Sequence, residues 1–542
     1  MKTRKQYIFL ICLLMLIALP AFSASEASFR KLYKTYTLNE DGSSEERVYK
    51  ELKIFTHAAM NSKYGETFIV YNPKFQELKI NKSYTIQKNG NIVETPENAF
   101  VEVLPSSAAN APAYNHLKEM VVVHTGLELG ATIVLDYSII TKPEMTGELD
   151  VFYMIKELSP IEDFQFTVKV PESKPLHYEL INSSVKPVVK TNKGVKSVSY
   201  TLKNVKPRPY SYPTYGSSVA KIQEVASGMM PVVTVSTYDS FSSALNVLKK
   251  QMVVGDAKII ENKIAELNEK NGGDKDKIRD DIGQIISHIY SALGYCKVSL
   301  SESGYTMRPA SEVLTSMYAT GAELANLEMV LRKAAGLDSE IRVCAIKASD
   351  INNIGLSGIV SVVPQSENHA LKTPFIGENY ANLQDFITVT DIDGNSASLI
   401  DFSLKHPTKN IKTIVPDDKN SKTVAGGYTI VTIPDTYIAG TLYPYSANSS
   451  ISENVLLPHK LHRLMEYKIT VPEGKSWVEK EDVEVSNEIG KVSFDYEYEG
   501  KEVKITLEIN ISKQLITVED YNKFYSLIKE CQDVNNYTIV MK

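Results

Sequence analysis

Cysteine and tryptophan are scarce in this sequence, which has 4 Cys and 1 Trp among 542 residues. No two cysteines have CxxC spacing, which excludes a disulfide scaffold and a cysteine-paired metal site. The HExxH, GxSxG and phosphate-loop motifs are also missing, so the sequence carries no signature of the common metalloproteases, serine hydrolases or nucleotide-binding proteins. The sequence therefore predicts no metal and no cofactor.

Charge of one sign is not concentrated anywhere along the chain. The 59 Lys and Arg residues and 65 Asp and Glu residues are interspersed and give a formal net charge of −6. Nucleic-acid binders present a basic face, and nothing in this sequence resembles one. We therefore expect no nucleic-acid partner.

Long apolar runs are missing after the N-terminus. Tyr7–Leu19 forms an apolar run between a basic start and the small residues of "AFSAS". This run is too short to span a membrane, and its flanks are typical of a secretory signal peptide. We predict that residues 1–24 are a cleaved signal, that the protein is periplasmic or secreted, and that the mature chain has no transmembrane segment.

The remaining chain changes its periodicity twice. Within residues 25–215, segments such as "RVYKELKIFT" alternate apolar and polar residues, and turn sequences such as Asn89-Gly90 separate them. This pattern predicts an N-terminal all-β sandwich. In 216–410, helical spacing comes first and strands return later, which predicts an α+β domain. Residues 411–542 are strand-rich with one final helix. We predict a multi-domain protein with a C-terminal β-rich sandwich domain.

The middle part contains the motif "RPASEVLTSMYATGAELANLEMVLRKAAGLDSEIRV". It resembles the core of the transglutaminase-like superfamily, whose papain-like fold carries a Cys-His-Asp triad and whose nucleophilic Cys opens a helix. Leu327 and Leu331, spaced to share one packing face, match the family's helix together with Glu323. Gly336 is predicted to end this helix, but the Cys position falls on Gly321. In "LQDFITVTDIDGNSASLIDFS" the His position falls on Asp385, and Asp401 matches the Asp.

The outer parts carry resemblances of their own. Through "YNPKFQELKI", "NGNIV" and "TGLELGATIVLDYSI", the first part resembles a domain of unknown function that precedes such cores in exported Gram-negative bacterial proteins. The tail, with "ITVEDYNKFYSLIK" and "TIVMK", resembles the C-terminal domain of the same proteins. Together these resemblances cover most of the mature chain and imply an exported bacterial protein.

The triad chemistry requires groups that this motif lacks. Imidazole promotes the thiolate and protonates the leaving group, and the carboxylate orients the imidazole. Gly321 has no nucleophile and Asp385 cannot promote one, and either loss costs orders of magnitude in rate. We expect a pseudoenzyme, a binding or structural module of the cell envelope with an unidentified peptide, protein or glycan ligand.

The remaining carboxylates and thiols leave alternatives open. Glu323, Asp385 and Asp401 are the candidate cleft residues, because neighbouring carboxylates can form acid/base pairs or cation sites. Cys296 is the candidate displaced nucleophile if the protein is instead a cysteine peptidase or hydrolase that acts on envelope peptides. Cys344 is predicted to pack in a strand. A third alternative is an assembly or adhesion component built from the outer sandwiches.

Overall fold

The computed structural model of the protein describes residues 25–211, 217–291, 294–365, 386–397, 410–417, 419–434, 450–451, 454–457 and 460–542. The predicted signal peptide, residues 1–24, lies outside these ranges and stays a prediction. Among the described helices, none combines the length and apolar character that a membrane crossing requires.

The N-terminal part is built from strands, as its alternating pattern predicts. The turn predicted at Asn89-Gly90 joins two paired strands, and Gly90 has φ +90°, a backbone conformation that favours glycine. The strands are β1 (Ala27–Leu38), β2 (Ser44–Ile54), β3 (Glu66–Tyr71), β4 (Gln76–Ile86), β5 (Ile92–Glu94), β6 (Phe100–Val103), β7 (Lys118–Val123), β8 (Thr132–Thr141), β9 (Asp150–Met154), β10 (Ile161–Pro171), β11 (His177–Ile181), β12 (Val188–Asn192), β13 (Val195–Val205) and β14 (Tyr210–Ser211).

The largest sheet has eight strands in the order β12-β13-β10-β1-β2-β8-β4-β5. Its pairs are antiparallel except for β1 and β10, which run parallel. Parallel neighbours need a long connection, and here the chain forms β2 to β9 before it returns as β10. The sheet is therefore antiparallel with one exception.

The middle part is mainly helical before its strands return, as its change of period predicts. Its helices are α1 (Ser217–Ala226), α2 (Phe241–Lys249), α3 (Ala257–Asn271), α4 (Lys275–Ser291), α5 (Ala310–Ser316) and α6 (Gly321–Ala334). Its strands are β15 (Val232–Ser236), β16 (Glu340–Ile346), β17 (Ile359–Gln365) and β18 (Ile387–Asp391). The last three form one sheet in the order β17-β16-β18.

Helix α6 lies in the core of this part. Its residues Leu327 and Leu331 are fully buried and pack with apolar side chains of α3, α4 and α5. Gly336, predicted as the end of the helix, has φ +68° directly after the C-cap residue. Cys344 is buried in β16, as predicted. The core thus fixes α6 on several sides, which determines where its first residue lies.

Strand β15 connects the middle part to the N-terminal part. It follows residue 215 in the chain but pairs with β9 and β11 of the preceding part. This sheet, in the order β11-β15-β9, covers one half of the inner face of the eight-stranded sheet. A second sheet, β3-β7-β6, covers the other half. An alternating pattern marks β15 as a strand but cannot show which part of the chain it pairs with.

The C-terminal part is strand-rich with one helix, α7 (Tyr521–Gln532). Its main sheets have the orders β19-β23-β27-β26-β25 and β20-β21-β29-β24, and they share one apolar core with α7, in which Cys531 is buried. The strands are β19 (Asn410–Ile414), β20 (Ser421–Thr423), β21 (Thr429–Thr432), β22 (Val455–Leu456), β23 (Leu461–Thr470), β24 (Trp477–Val478), β25 (Val483–Asn487), β26 (Gly490–Glu499), β27 (Glu502–Ile511), β28 (Leu515–Ile516) and β29 (Thr538–Met541). The protein is therefore multi-domain and strand-rich, with several sheets.

Candidate functional site

The start of helix α6 is fixed by a reciprocal pair of hydrogen bonds. Glu323 N donates to Thr320 Oγ1 at 3.3 Å, and Thr320 N donates to Glu323 Oε2 at 2.9 Å. This is a capping box, the arrangement that a Thr-x-x-Glu sequence favours at a helix N-terminus. Gly321 is consequently the first residue of the helix, where the resemblance places a nucleophile.

The carboxylate of Glu323 also binds groups outside its own helix. Its Oε1 accepts hydrogen bonds from Tyr114 Oη at 2.6 Å, Arg308 N at 2.9 Å and Arg308 Nε at 3.0 Å. Its Oε2 accepts a further one from Arg308 Nη2 at 3.0 Å. Both oxygens are therefore surrounded by protein donors, and the Glu323 side chain is 0% exposed.

These donors determine the ionisation of Glu323. Burial alone would raise the pKa of this carboxyl group, because it disfavours the charged form. The hydrogen bonds and positive charge of Arg308, together with the Tyr114 and Thr320 donors, outweigh burial and hold the pKa of Glu323 below its ordinary value. Glu323 is therefore a carboxylate at neutral pH, and it organises the site around it.

Tyr114 belongs to the N-terminal part, so the site joins two parts of the chain. It follows β6 in the segment 105–117, which packs on the middle part next to α6. Ala113 N donates to Tyr318 Oη at 2.9 Å, and the Arg308 guanidinium lies 4.0 Å from the centre of the Tyr318 ring. The sequence shows the Thr320 and Glu323 pair, but it carries no signal for these partners, which are distant along the chain.

Gly321 is exposed and has space beside it. A Cβ atom at this position would meet Tyr295 Oη at 3.5 Å and Tyr295 Cε2 at 3.9 Å, which are ordinary van der Waals contacts. The ring of Tyr290, which is 58% exposed, lies 5.0 Å from the ring of Tyr295. The position of the expected nucleophile therefore opens beside two tyrosines.

Cys296 follows Tyr295 in the chain but occupies a different environment. It is 5% exposed and packs against Tyr114 and other apolar residues of the 105–117 segment. Its Sγ contacts the carbonyl oxygen of Ser107 at 3.7 Å. Burial raises the pKa of the Cys296 thiol above its ordinary value, which disfavours the reactive thiolate.

Two of the predicted positions cannot be located. Asp385 and Asp401 lie outside the described residues, so their distances from Gly321 and Glu323 stay untested, as does their role in a cleft. Among the residues that the structure does describe, no group of three or more His, Cys, Asp or Glu side chains is arranged to hold a metal ion.

Known families match both ends of the chain. The family model of DUF3857, a domain of unknown function with a solved structure, matches residues 40–209. The model of DUF3858, a further domain of unknown function with a solved structure, matches residues 428–541. No curated protein matches the chain.

One solved structure is similar over nearly the whole chain. It is the crystal structure of a protein from Parabacteroides distasonis ATCC 8503 that was described as a "putative protease". The two sequences are 34% identical, the match covers 95% of this chain and 99% of that chain, and the TM-score is 0.72. The protein described here therefore belongs to the same family, with DUF3857 and DUF3858 domains near its two ends.

Weaker similarities extend to unrelated classes. An M1 zinc metallopeptidase from Deinococcus radiodurans is 11% identical over 39% of this chain and 42% of its own, with a TM-score of 0.19. A CBM3a-L domain from Clostridium thermocellum scaffoldin is 13% identical over 22% of this chain and 70% of its own, with a TM-score of 0.14. Neither value supports an inference about fold or function.

The contacts of Glu323 predict a pH-dependent stability. Glu323→Gln keeps the size of the side chain but removes the charge that pairs with Arg308, so we expect a loss of about 3–5 kcal/mol in the free energy of unfolding at pH 7. Because the folded-state pKa is lowered, this stabilisation is present above the unfolded pKa and is lost as the pH falls through the folded pKa. Urea unfolding of parent and variant between pH 3 and 8 measures it.

The matched control is Glu312→Gln, which changes an exposed glutamate in α5. We expect this control to shift the free energy of unfolding by less than about 0.5 kcal/mol, as surface substitutions usually do. A Glu323→Gln variant that matches this control at pH 7, or a difference that grows in acid, would contradict the role given to the carboxylate.

Proposed function

We propose that this protein is a transglutaminase-like pseudoenzyme of the bacterial cell envelope and that the start of α6 binds a peptide or glycan. The observation that carries the proposal is at Gly321, where an enzyme of the superfamily would need a thiol and this chain has no side chain. The neighbouring thiol, Cys296, is buried against the 105–117 segment and has a raised pKa. Without a thiolate the papain-like reaction has no first step.

Binding is supported by the surface beside Gly321. Tyr290 and Tyr295 present two rings, tilted by 56° to each other, next to the first turn of α6. Aromatic side chains with a polar hydroxyl suit ligands that have both apolar and hydrogen-bonding surfaces, as peptides and sugars do. The buried charge of Glu323 is paired with Arg308, so it adds little repulsion toward an anionic ligand at this surface.

Export and domain organisation complete the proposal. Residues 1–24 would be removed on secretion, and three domains, 25–215, 216–410 and 411–542, would act as one module in the periplasm or outside the cell. Mass spectrometry of the protein from its native envelope tests this: we expect a mature N-terminus at Ala24 or Ser25. An intact N-terminus in a cytoplasmic fraction would refute export.

The alternative is a cysteine peptidase or hydrolase, which the description of the Parabacteroides distasonis protein favours. It requires a nucleophile, and Cys296 is the candidate. In the structure its thiol would have to become accessible and lose a proton before it could react. The third alternative, an assembly component, predicts a stable partner that remains bound when Gly321 and both tyrosines are changed.

Activity measurements distinguish the pseudoenzyme from the peptidase. We expect the mature protein to hydrolyse no member of a peptide library above background and its Cys296 to react slowly with iodoacetamide. The Gly321→Cys variant should fold normally, because its Cβ fits beside Tyr295, and its new thiol should be labelled faster than Cys296. It should still give no turnover, since the His position is Asp385. Turnover by the parent that Cys296→Ala abolishes would refute the proposal.

Binding measurements test the surface itself. The parent protein is first screened against a library of peptides and oligosaccharides. For the ligands that it binds, we expect Tyr290→Ala to lower the affinity about tenfold, which corresponds to about 1.4 kcal/mol. Tyr498→Ala is the control, because this tyrosine is 51% exposed but lies in the C-terminal part. Equal affinity of a ligand for the parent, Tyr290→Ala and Tyr498→Ala would refute binding at this surface, and so would a library in which nothing binds the parent.

A further inference from the structure

A strip of polar side chains crosses the inner face of the eight-stranded sheet. Lys34 of β1 is paired with Val48 of β2, and Val48 is paired with Tyr137 of β8, so these three residues share one face. Glu46 and Lys50 lie two residues from Val48 on β2 and therefore also point to this face. We call Lys34, Glu46, Lys50 and Tyr137 the polar seam.

The polar seam lies where the two covering sheets approach each other. Tyr137 packs against both apolar cores, the one beneath β11-β15-β9 and the one beneath β3-β7-β6. All four seam residues remain partly exposed, whereas Leu32, Val48 and Leu135 on the same face are buried. Solvent therefore reaches the middle of an otherwise closed sandwich at the seam.

One of the two seam lysines is fully paired. Lys34 Nζ donates to Glu46 Oε1 at 2.7 Å and lies 4.2 Å from the centre of the Tyr153 ring. The same Glu46 oxygen also accepts from Tyr36 Oη at 2.8 Å. This group is electrically balanced, so it needs no further ligand.

Lys50 has no such contact ion pair. Its Nζ donates to Thr67 Oγ1 at 2.6 Å, and this hydroxyl lies 2.8 Å from Nε2 of the buried His124. Burial and the nearby ammonium lower the pKa of His124 to about 3, so its ring is neutral. Among the described residues, no carboxylate oxygen lies within 4.0 Å of Lys50 Nζ, the distance of an ion pair. Glu157 attracts the Lys50 charge from further away.

The Lys50 ammonium has a single hydrogen-bond acceptor among the described residues. It has three N–H donors, and Thr67 accepts one. Burial lowers the pKa of Lys50 to about 8, because it disfavours the charged form and the attraction of Glu157 offsets this only in part. Charged groups that have lost part of their water are normally paired, so the position of this lysine resembles that of a half-filled anion site.

We propose that the polar seam is a second binding site, in which the ammonium of Lys50 holds the carboxylate of a small organic ligand. Lys50 supplies a positive charge and two N–H donors that no described group accepts, and the oxygens of a carboxylate are acceptors of the opposite charge. Tyr137, which is partly exposed beside it, supplies a hydroxyl and ring surface for the body of the ligand. A peptide carboxylate and a sugar acid share this chemistry.

Calorimetric titration of the full mature chain tests the proposal. The probes are N-acetyl-trialanine and trigalacturonic acid, each compared with its uncharged form, the C-terminal amide and the methyl ester. We expect at least one carboxylate probe to bind and its neutral counterpart to bind at least about tenfold more weakly. The probe that binds identifies the source of the carboxylate, peptide or sugar. Failure of both acids to bind at 10 mM, about the limit of calorimetry, overturns the proposal.

Variants locate the binding. Lys50→Met keeps the length of the side chain without its charge, and we expect it to lower the affinity of the bound probe about tenfold or more. Lys31→Met is the matched control, since Lys31 pairs with Glu51 on the opposite face of the same sheet. Equal loss in both variants, or binding that survives Lys50→Met, overturns the proposal.

A measurement on the unmodified sequence remains decisive even if Lys50→Met does not fold. Reductive methylation followed by mass spectrometry reports the reactivity of each lysine amine. We expect the bound acid to slow methylation of Lys50 at least about fivefold and to leave Lys31 unchanged, because only Lys50 donates to it. Equal rates at Lys50 with and without the acid overturn the proposal.

Discussion

The carboxylate of Glu323 is the contact on which the arrangement around α6 depends. It accepts hydrogen bonds from Thr320, which caps the helix, from Arg308, which precedes α5, and from Tyr114, which belongs to the N-terminal part. A buried carboxylate is stable only when its donors are in place. Each donor that is lost leaves part of the cost of removing the charge from water uncompensated. The helix start and the packing of two parts of the chain are therefore set together.

This constraint holds the start of α6 in place independently of the residue at position 321. Thr320 and Glu323 hold the first turn of α6 whatever residue occupies position 321, and Gly321 contributes no contact that they need. The same packing encloses Cys296 against the 105–117 segment, where its thiol is protonated. A surface that these contacts hold in place and that two tyrosines flank suits binding, which is the basis of the proposed function.

The sequence predicted local features better than distant contacts. Alternation identified the strands, the spacing of Leu327 and Leu331 identified α6, and Gly336 marked its end, because all depend on neighbours in the chain. The Tyr114–Glu323 hydrogen bond joins residues 209 positions apart, and no pattern in the sequence predicts it. For the same reason the sequence did not predict the pairing of β15 with β9. It also did not predict the polar seam, because nothing in the sequence distinguishes Lys50 from the other lysines in strands.

A double-mutant cycle between Tyr114→Phe and Glu323→Gln tests most directly whether Glu323 joins the two parts of the chain. Phe removes only the hydroxyl that donates to Oε1, and Gln removes the charge that it binds. Urea unfolding at pH 7 should give a coupling free energy of at least about 1 kcal/mol, as expected for a buried hydrogen bond to a charged group. A coupling within about 0.3 kcal/mol of zero would show that the two residues act independently and would contradict the account.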